Sequence, residues 1–132
     1  MKLLADTHTL LWSLIEPQQL SVRVRQALRS ADNECAISVV SFWEVSLKHG
    51  LGKLDLAGVT PDELPSAARQ AGFELADLPA DVAASVHRLP RLGHKDPFDR
   101  MLVWQAICAG RTLVSKDRGL RAYAEHGLKL MW

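Results

Sequence analysis

Short apolar runs alternate along this chain with longer segments of helical periodicity, and this alternation defines the predicted elements. The apolar runs predict strands at about residues 2–6, 35–40, 73–77, 112–115 and 128–132. The segments between them predict helices near residues 8–16, 21–31, 41–49, 61–71, 80–88, 97–109 and 118–124. Strands that alternate with helices in this way are typical of an α/β fold with a largely parallel sheet.

Glycine and proline positions agree with these boundaries. Glycines tolerate the positive φ that often ends a helix, and proline costs nothing at a helix start. The glycines at the predicted helix ends are Gly50, Gly72, Gly110 and Gly127, and the prolines near the starts are Pro61, Pro79 and Pro97. The segment 51–60 is the most loop-like stretch. No repeat or linker interrupts the pattern, so residues 1–132 are predicted to form one domain.

Composition limits the classes of function. The chain has 132 residues, of which 48% are hydrophobic, and a net charge of +1. This balance argues against a protein that coats a polyanion and leaves room only for a local basic patch. Such a patch is suggested between Arg91 and Arg121, where seven lysines and arginines face three acids.

Cysteine usage and hydropathy predict the compartment. Cys35 and Cys108 both lie in apolar runs without metal-type spacing, so we expect two buried free thiols in a reducing environment. A charge at position 6 comes too early for a signal-peptide core, and no run approaches the ~20 apolar residues that span a bilayer. We therefore expect a soluble, cytoplasmic protein.

Four acids are predicted at one edge of the sheet. Asp6 ends the first predicted strand, Glu44 follows the second, and Asp117 follows the fourth. Asp99 lies in the first turn of the helix that begins near Pro97, and the apolar sequence of that helix predicts that this carboxylate is buried. In a parallel α/β sheet, strand ends and the starts of the following helices share one edge, where ligands bind.

Each acid also has a structural explanation. Asp6 and Asp117 can each cap a following helix. Residues 41–44 (SFWE) match a capping box, in which Glu44 would bond back to the Ser41 N–H. Asp96 precedes Pro97 and is better explained as an N-cap than as a metal ligand, although the second interpretation stays open.

Electrostatics favours a shared site over four independent caps. Two unit charges 4 Å apart repel by roughly 4 kcal/mol at an effective dielectric of 20. Four ionised carboxylates at one edge therefore need either raised pKa values or a cation that neutralises them. Oxygen ligands without a His/Cys pattern favour Mg²⁺ or Mn²⁺, which complete their shells with water and phosphate oxygens. The predicted chemistry is metal-assisted hydrolysis of a phosphodiester.

Four motifs in this chain resemble the PIN-domain nucleases, and within them the VapC-type toxins of type II toxin–antitoxin pairs. The motifs are DTHTLLW at residues 6–12, SVVSFWE at 38–44, HKDPFDRML at 94–102 and TLVSKD at 112–117. Their order and spacing match over essentially the whole chain. The resemblance implies a single PIN-like domain, with a parallel five-stranded sheet flanked by helices on both faces.

The resemblance also implies roles for individual residues. The acidic quartet of the family falls on Asp6, Glu44, Asp99 and Asp117, with Asp6 and Asp99 as the principal metal ligands. Ser115 matches a hydroxyl residue that supports the site. The implied protein is an Mg²⁺- or Mn²⁺-dependent ribonuclease that forms a homodimer and is inhibited by a cognate antitoxin.

Basic residues near the acids are candidates for binding RNA phosphates. They are Lys95, Arg100, Lys116 and Arg118, together with His94, for which an ordinary position in a surface loop is the simpler interpretation.

Three alternative functions agree less well with the sequence. A receiver domain needs an acidic pair after its first strand, and a haloacid-type phosphatase needs Asp-x-Asp there, whereas residues 6–8 read DTH. The third is a catalytically inactive PIN-like module that binds RNA or protein. The intact quartet argues against it.

Overall fold

Five parallel strands form the centre of the fold, and the computed structural model describes all residues from 1 to 132. The elements in chain order are β1 (Lys2–Ala5), α1 (Thr7–Ile15), α2 (Val22–Arg29), β2 (Glu34–Ser38), α3 (Val39–Gly50), α4 (Leu64–Gln70), β3 (Glu74–Ala76), α5 (Ala80–Ser85), α6 (Pro97–Ala109), β4 (Thr112–Val114) and β5 (Lys129–Met131). Short 3₁₀ helices cover Pro17–Gln19, Pro61–Glu63, Val86–Arg88 and Arg118–His126. The predicted fold class is confirmed.

The strand order creates a switch point beside β1. The sheet runs β3-β2-β1-β4-β5, so the chain builds outward from β1 on one side and then returns to add β4 and β5 on the other. Ala5 pairs with Ile37 of β2 and with Val114 of β4. In open parallel sheets the crevice at such a reversal is the usual ligand site. Asp6 follows Ala5 directly at this crevice.

Both faces of the sheet are buried, which explains why the strands read as continuous apolar runs. On one face Leu4, Ala36 and Leu113 pack with Leu102 of α6 and Tyr123 of the last 3₁₀ helix. Residues of the other face pack against α1, α2 and α4, and the buried strand residues among them are Leu3, Ala5, Cys35, Ile37, Val114 and Met131. Helices therefore cover the sheet on both sides.

The predicted capping box at residues 41–44 is wrong, because α3 begins earlier than its sequence suggests. The two β-branched residues Val39 and Val40 favoured an extension of the strand. In the structure Ser38 instead caps the helix, its hydroxyl accepting a hydrogen bond from the Val40 N–H at 3.1 Å. Ser41 and Glu44 consequently lie inside the helix and are free to make other contacts.

Two further expectations need correction. The helix predicted at 118–124 is a 3₁₀ helix from Arg118 to His126. Cys35 is buried as expected, and burial raises the pKa of its thiol, but Cys108 is exposed because it lies on the solvent side of the last turn of α6. None of the helices is both long and apolar enough to span a membrane.

Truncation of the α6 core tests this packing. Leu102 is 1% exposed between the sheet and α6, so Leu102→Ala should lower the free energy of unfolding by about 2–5 kcal/mol, through lost burial and the cavity left behind. Leu92→Ala, the same change at an exposed loop position, should stay within about 0.5 kcal/mol of wild type. Urea denaturation measures both values. Equal losses in the two variants would contradict the described core.

Candidate active site

The predicted acids lie at one edge of the sheet, around the switch point beside β1. Asp6 follows β1, and Asp117 lies three residues beyond the end of β4. The β1–β4 contact continues past the strands, because the Asp6 N–H donates to the Val114 carbonyl at 3.0 Å. Helices α3 and α6 bring Glu44 and Asp99 toward the same edge.

Asp6 and Asp117 line one shallow hollow, which we call the acidic hollow. Its walls are formed by Asp6, His8, Trp12, Lys116 and Asp117, and its volume is about 290 Å³. Asp6 also caps α1, accepting a hydrogen bond from the Thr9 N–H at 2.8 Å. Only one carboxylate oxygen takes part in that bond, so the cap leaves the other oxygen available to a ligand.

His94 joins Asp99 to Asp117. Its Nε2 lies 3.2 Å from Asp99 Oδ2 and 3.8 Å from Asp117 Oδ2. One donor atom from each of the three residues lies within 4.8 Å of the others, which is a spacing that a metal ion can bridge. The interpretation of His94 as an ordinary surface-loop residue is therefore wrong, because it is half-buried between two acids.

Crowding at this position raises the pKa of Asp99. Burial is the largest cause, and the negative charges of Asp96 and Glu44 act in the same direction. The hydrogen bond and charge of His94 oppose the rise without cancelling it. Asp99 is half-buried rather than fully buried, because it occupies the first turn of α6. Its ionised form is under electrostatic stress that a cation would relieve.

Glu44 is the most buried acid of the group and has partners at both oxygens. It is 3% exposed, and the Thr7 hydroxyl donates to its Oε1 at 2.6 Å. Lys48, one turn along α3, forms an ion pair with its Oε2. Burial alone would lower the pKa of Lys48, but the bond to Glu44 and the charges of Glu44, Asp96 and Asp99 outweigh it, and the pKa of Lys48 is raised.

Asp96 acts as the N-cap of α6. One of its oxygens accepts hydrogen bonds from the N–H groups of Phe98 at 2.8 Å and Asp99 at 3.1 Å. These bonds hold the first turn of α6 and thereby fix the position of Asp99. The structure gives Asp96 this structural role, and its negative charge also contributes to the raised pKa of Asp99.

The basic residues predicted to bind substrate have different surroundings. Lys116 and Arg118 are exposed beside Asp117, whereas Lys95 lies on a separate groove with Trp43. Substrate contact by Arg100 does not fit the structure, since its buried guanidinium donates to the carbonyls of Leu89 and Pro90 and to the Tyr123 hydroxyl. Ser115 is buried, and its hydroxyl accepts from the Asp117 N–H at 3.2 Å.

Thr7 and Lys48 complete the site and were missed from the sequence. Thr7 follows Asp6, and its hydroxyl oxygen also lies 3.0 Å from Ser41 Oγ, whose hydroxyl can donate to it. Lys48 is four residues beyond Glu44, a spacing that places two side chains on the same helical face. The four-residue spacing could therefore have identified Lys48 as a partner of Glu44 from the sequence. The side chain of Thr7, by contrast, gave no hint of a partner 37 residues away.

The donor set fits a hard divalent cation. The cluster of His94, Asp99 and Asp117 offers two carboxylate oxygens and one imidazole nitrogen, and burial and neighbouring negative charges raise the pKa of Asp99. Asp6 and Glu44 lie outside this three-residue cluster. Mg²⁺ is commonly held by one or two carboxylates, and Mn²⁺ also accepts an imidazole nitrogen such as that of His94.

Comparison with known proteins gives consistent matches over nearly the whole chain. The model of a family described as "PIN domain" matches residues 3–126. Ribonuclease VapC22 of Mycobacterium tuberculosis is 32% identical over 129 residues, which cover 98% of this chain and 97% of that protein.

Two solved structures share the fold. A chain of VapBC2 from Rickettsia felis, crystallised with a promoter DNA fragment, superposes with a TM-score of 0.70 at 18% identity, over 99% of this chain and 98% of the other. A chain of DNA-bound VapBC from Salmonella typhimurium gives 0.64 at 20% identity, over 99% and 97%.

The strain on Asp99 predicts a pH-dependent gain in stability. A carboxylate whose folded-state pKa is raised destabilises the protein at pH values above that pKa, and the cost disappears below the unfolded value of about 3.9. In EDTA, Asp99→Asn should therefore melt at a higher temperature than wild type at neutral pH, and the gain should vanish in acid.

The matched control is Asp32→Asn, an exposed acid just before β2 at the opposite edge of the sheet. Thermal unfolding of the three proteins at several pH values provides the measurement. Identical melting temperatures for Asp99→Asn and wild type at neutral pH would show that the Asp99 carboxylate carries no such cost.

Proposed function

Because this chain belongs to the PIN-domain family, in its VapC-type group, we propose that it is a metal-dependent ribonuclease that hydrolyses RNA phosphodiester bonds. We further propose that it is the toxin of a type II toxin–antitoxin pair. The observation that carries the proposal is the gathering of Asp6, Glu44, Asp99 and Asp117 around the β1–β4 switch point. The similarity to a ribonuclease over 98% of the chain supports it.

Asp6 and Asp99 are the proposed principal ligands of Mg²⁺ or Mn²⁺, with Glu44 and Asp117 completing the site. A divalent cation held there supplies Lewis-acid chemistry that stabilises negative charge on phosphate oxygens. Asp6 and Asp117 flank the open hollow, where a phosphodiester can enter. Glu44 lies deeper and helps to set the charge of the site, as its effect on Asp99 indicates.

Several other side chains hold these acids in place. The buried Ser115 hydroxyl bonds to the backbone N–H of Asp117, and Thr7 fixes the orientation of Glu44. Lys48 neutralises Glu44, so one buried negative charge is compensated before any metal binds. His94 keeps Asp99 and Asp117 within reach of each other. Preorganisation of this kind reduces the rearrangement needed on binding.

A cognate antitoxin and a second copy of the chain are the proposed protein partners. The similar folds named above come from VapBC proteins. Four apolar residues of α3 and its C-cap, each four positions after the last, are exposed and form one stripe suited to a protein interface. They are Val39, Trp43, Leu47 and Leu51.

The alternative of an inactive PIN-like binding module has no observation in its favour. Such a module would have no need of a strained carboxylate at the position of Asp99, since relief of that strain would stabilise the fold.

Substitution of the acids tests the proposal directly. Asp6→Asn and Asp99→Asn should each lower the rate of Mg²⁺-dependent cleavage of RNA by about 100-fold or more, because each removes a proposed metal ligand. EDTA should abolish cleavage by wild type, and added Mg²⁺ or Mn²⁺ should restore it. Denaturing gels with labelled RNA measure the rates.

Asp32→Asn again serves as the control and should cleave at the wild-type rate. The melting curves of all variants separate lost chemistry from lost folding. Cleavage by Asp99→Asn at the wild-type rate, or cleavage that persists in EDTA, would refute the assignment.

A further inference from the structure

Glu44 differs from the other acids of the site because both of its carboxylate oxygens already have side-chain partners. The Thr7 hydroxyl donates to Oε1 at 2.6 Å, and the Lys48 ammonium forms an ion pair with Oε2. Glu44 is 3% exposed, so these two contacts, and not bulk water, satisfy its carboxylate. A metal ion could bond directly to Glu44 only by displacing one of them.

The position of Glu44 among the acids agrees with this conclusion. One donor atom each of His94, Asp99 and Asp117 lies within 4.8 Å of the others, and Glu44 is not part of that group. Its charge nevertheless reaches Asp99, whose pKa it helps to raise. Glu44 therefore contributes negative charge to the site while its own oxygens are bound by the protein.

The ammonium of Lys48 is held beside Glu44 by packing as well as by charge. Lys48 lies four residues after Glu44 in α3, so the two side chains share one helical face. Its Nζ also lies 5.7 Å from the centre of the Phe98 ring, which is within the range of a cation–π contact. The Trp43 ring packs edge-on against Phe98, with ring centres 4.9 Å apart. A positive charge thus has a defined place in contact with both Glu44 and Phe98.

The charge of Lys48 acts on more acids than its direct partner. The negative charges of Glu44, Asp96 and Asp99 all raise the pKa of the Lys48 ammonium, which therefore stays protonated at neutral pH. The same interactions run in the other direction, because Lys48 stabilises the ionised forms of these acids. A positive charge so close to the acids also repels any further cation that approaches them.

From these contacts, and resting on the proposed function, we infer that Lys48 is a positioning residue that serves as a resident cation of the acidic site. It holds Glu44 away from direct metal bonding and lowers the affinity of the site for a divalent ion. Asp6, Asp99 and Asp117 then bond to the ion, and Glu44 completes the site through its charge. Partial neutralisation by Lys48 keeps the acids ionised and close together before the ion binds.

A purely structural role for Lys48 is the alternative. In that case Lys48 would only order Glu44, and its loss would weaken metal binding or leave it unchanged, as the loss of an outer-shell partner commonly does. A resident cation predicts the opposite sign, because removal of a positive charge strengthens the attraction between the remaining acids and an ion. The sign of the change in metal affinity separates the two roles.

Metal binding can be measured without RNA. Mn²⁺ is titrated into the full chain at neutral pH, and the free ion is followed by electron paramagnetic resonance. Lys48→Met, which keeps the length of the side chain but not its charge, should lower the Kd for Mn²⁺ about tenfold. Lys48→Arg, which keeps the charge, should stay within about threefold of wild type.

A double-mutant cycle with Glu44 tests whether the effect runs through this ion pair. Glu44→Gln leaves the Lys48 charge without its partner and should raise the Kd for Mn²⁺ about tenfold. Glu44→Gln/Lys48→Met removes both charges and should return the Kd to within about threefold of wild type. The matched control is Lys129→Met, at an exposed position at the start of β5 on the opposite edge of the sheet, and it should leave the Kd unchanged.

Thermal unfolding in EDTA gives an independent readout and verifies folding. Lys48→Met should melt at a lower temperature than wild type, because the buried Glu44 carboxylate loses its counter-ion. Saturating Mn²⁺ should then raise the melting temperature of Lys48→Met more than that of wild type, since the variant binds the ion more tightly. If Lys48→Met does not fold, Lys48→Gln, which removes the charge but keeps a donor for Glu44, replaces it in the same titration.

The outcomes separate this inference from the proposed function. A protein that follows the expected order of Mn²⁺ affinities but cuts no RNA would leave the inference standing and remove the ribonuclease proposal. Metal-dependent cleavage by a protein whose Mn²⁺ affinity is unchanged or weakened in Lys48→Met would do the reverse. A Kd for the double variant equal to that of Glu44→Gln would also overturn the inference, since Glu44 would then bond to the ion directly. A wild-type chain that binds no Mn²⁺ would overturn both.

Discussion

Repulsion between carboxylates held at one edge of a parallel sheet is the constraint on which the site depends. The sheet brings Asp6 and Asp117 to the β1–β4 crevice, and Asp99 joins them under a burial penalty that raises its pKa. Two cationic or ionisable side chains, Lys48 and His94, partly balance this charge. In the proposed function a divalent cation supplies the rest of the compensation. The crowded carboxylates that would bind the cation therefore also lower the stability of the fold in its absence.

Capping and ligand binding are compatible in this structure. Asp6 and Asp117 each use one oxygen to accept a backbone N–H at a helix start, and in each the other oxygen takes no part in that bond. Capping fixes the rotamer, so the carboxylate does not have to be ordered when a ligand arrives. Asp96 differs from them, because it acts as the cap of α6 and thereby holds Asp99 in the first turn of the helix.

The sequence predicted the elements and the edge on which the acids meet, because both follow from periodicity and from the geometry of parallel strands. Helix α6 was predicted with its observed bounds, since Asp96 and Pro97 mark its start and Gly110 its end. The start of α3 was missed because Val39 and Val40 favour strands. Arg100 was expected to bind substrate but is buried, and His94 was expected in an ordinary surface loop but contacts two acids. The partners of both side chains depend on tertiary packing that local sequence does not encode.

Arg100 has a consequence for how the site can move. Its guanidinium donates hydrogen bonds to the carbonyls of Leu89 and Pro90, at the start of the loop that carries His94. Asp99 is the residue that precedes Arg100 in α6. The first turn of α6 and that loop are therefore mechanically coupled. A shift of the helix therefore moves the Asp99 carboxylate and the His94 imidazole together, and the distance between them is preserved.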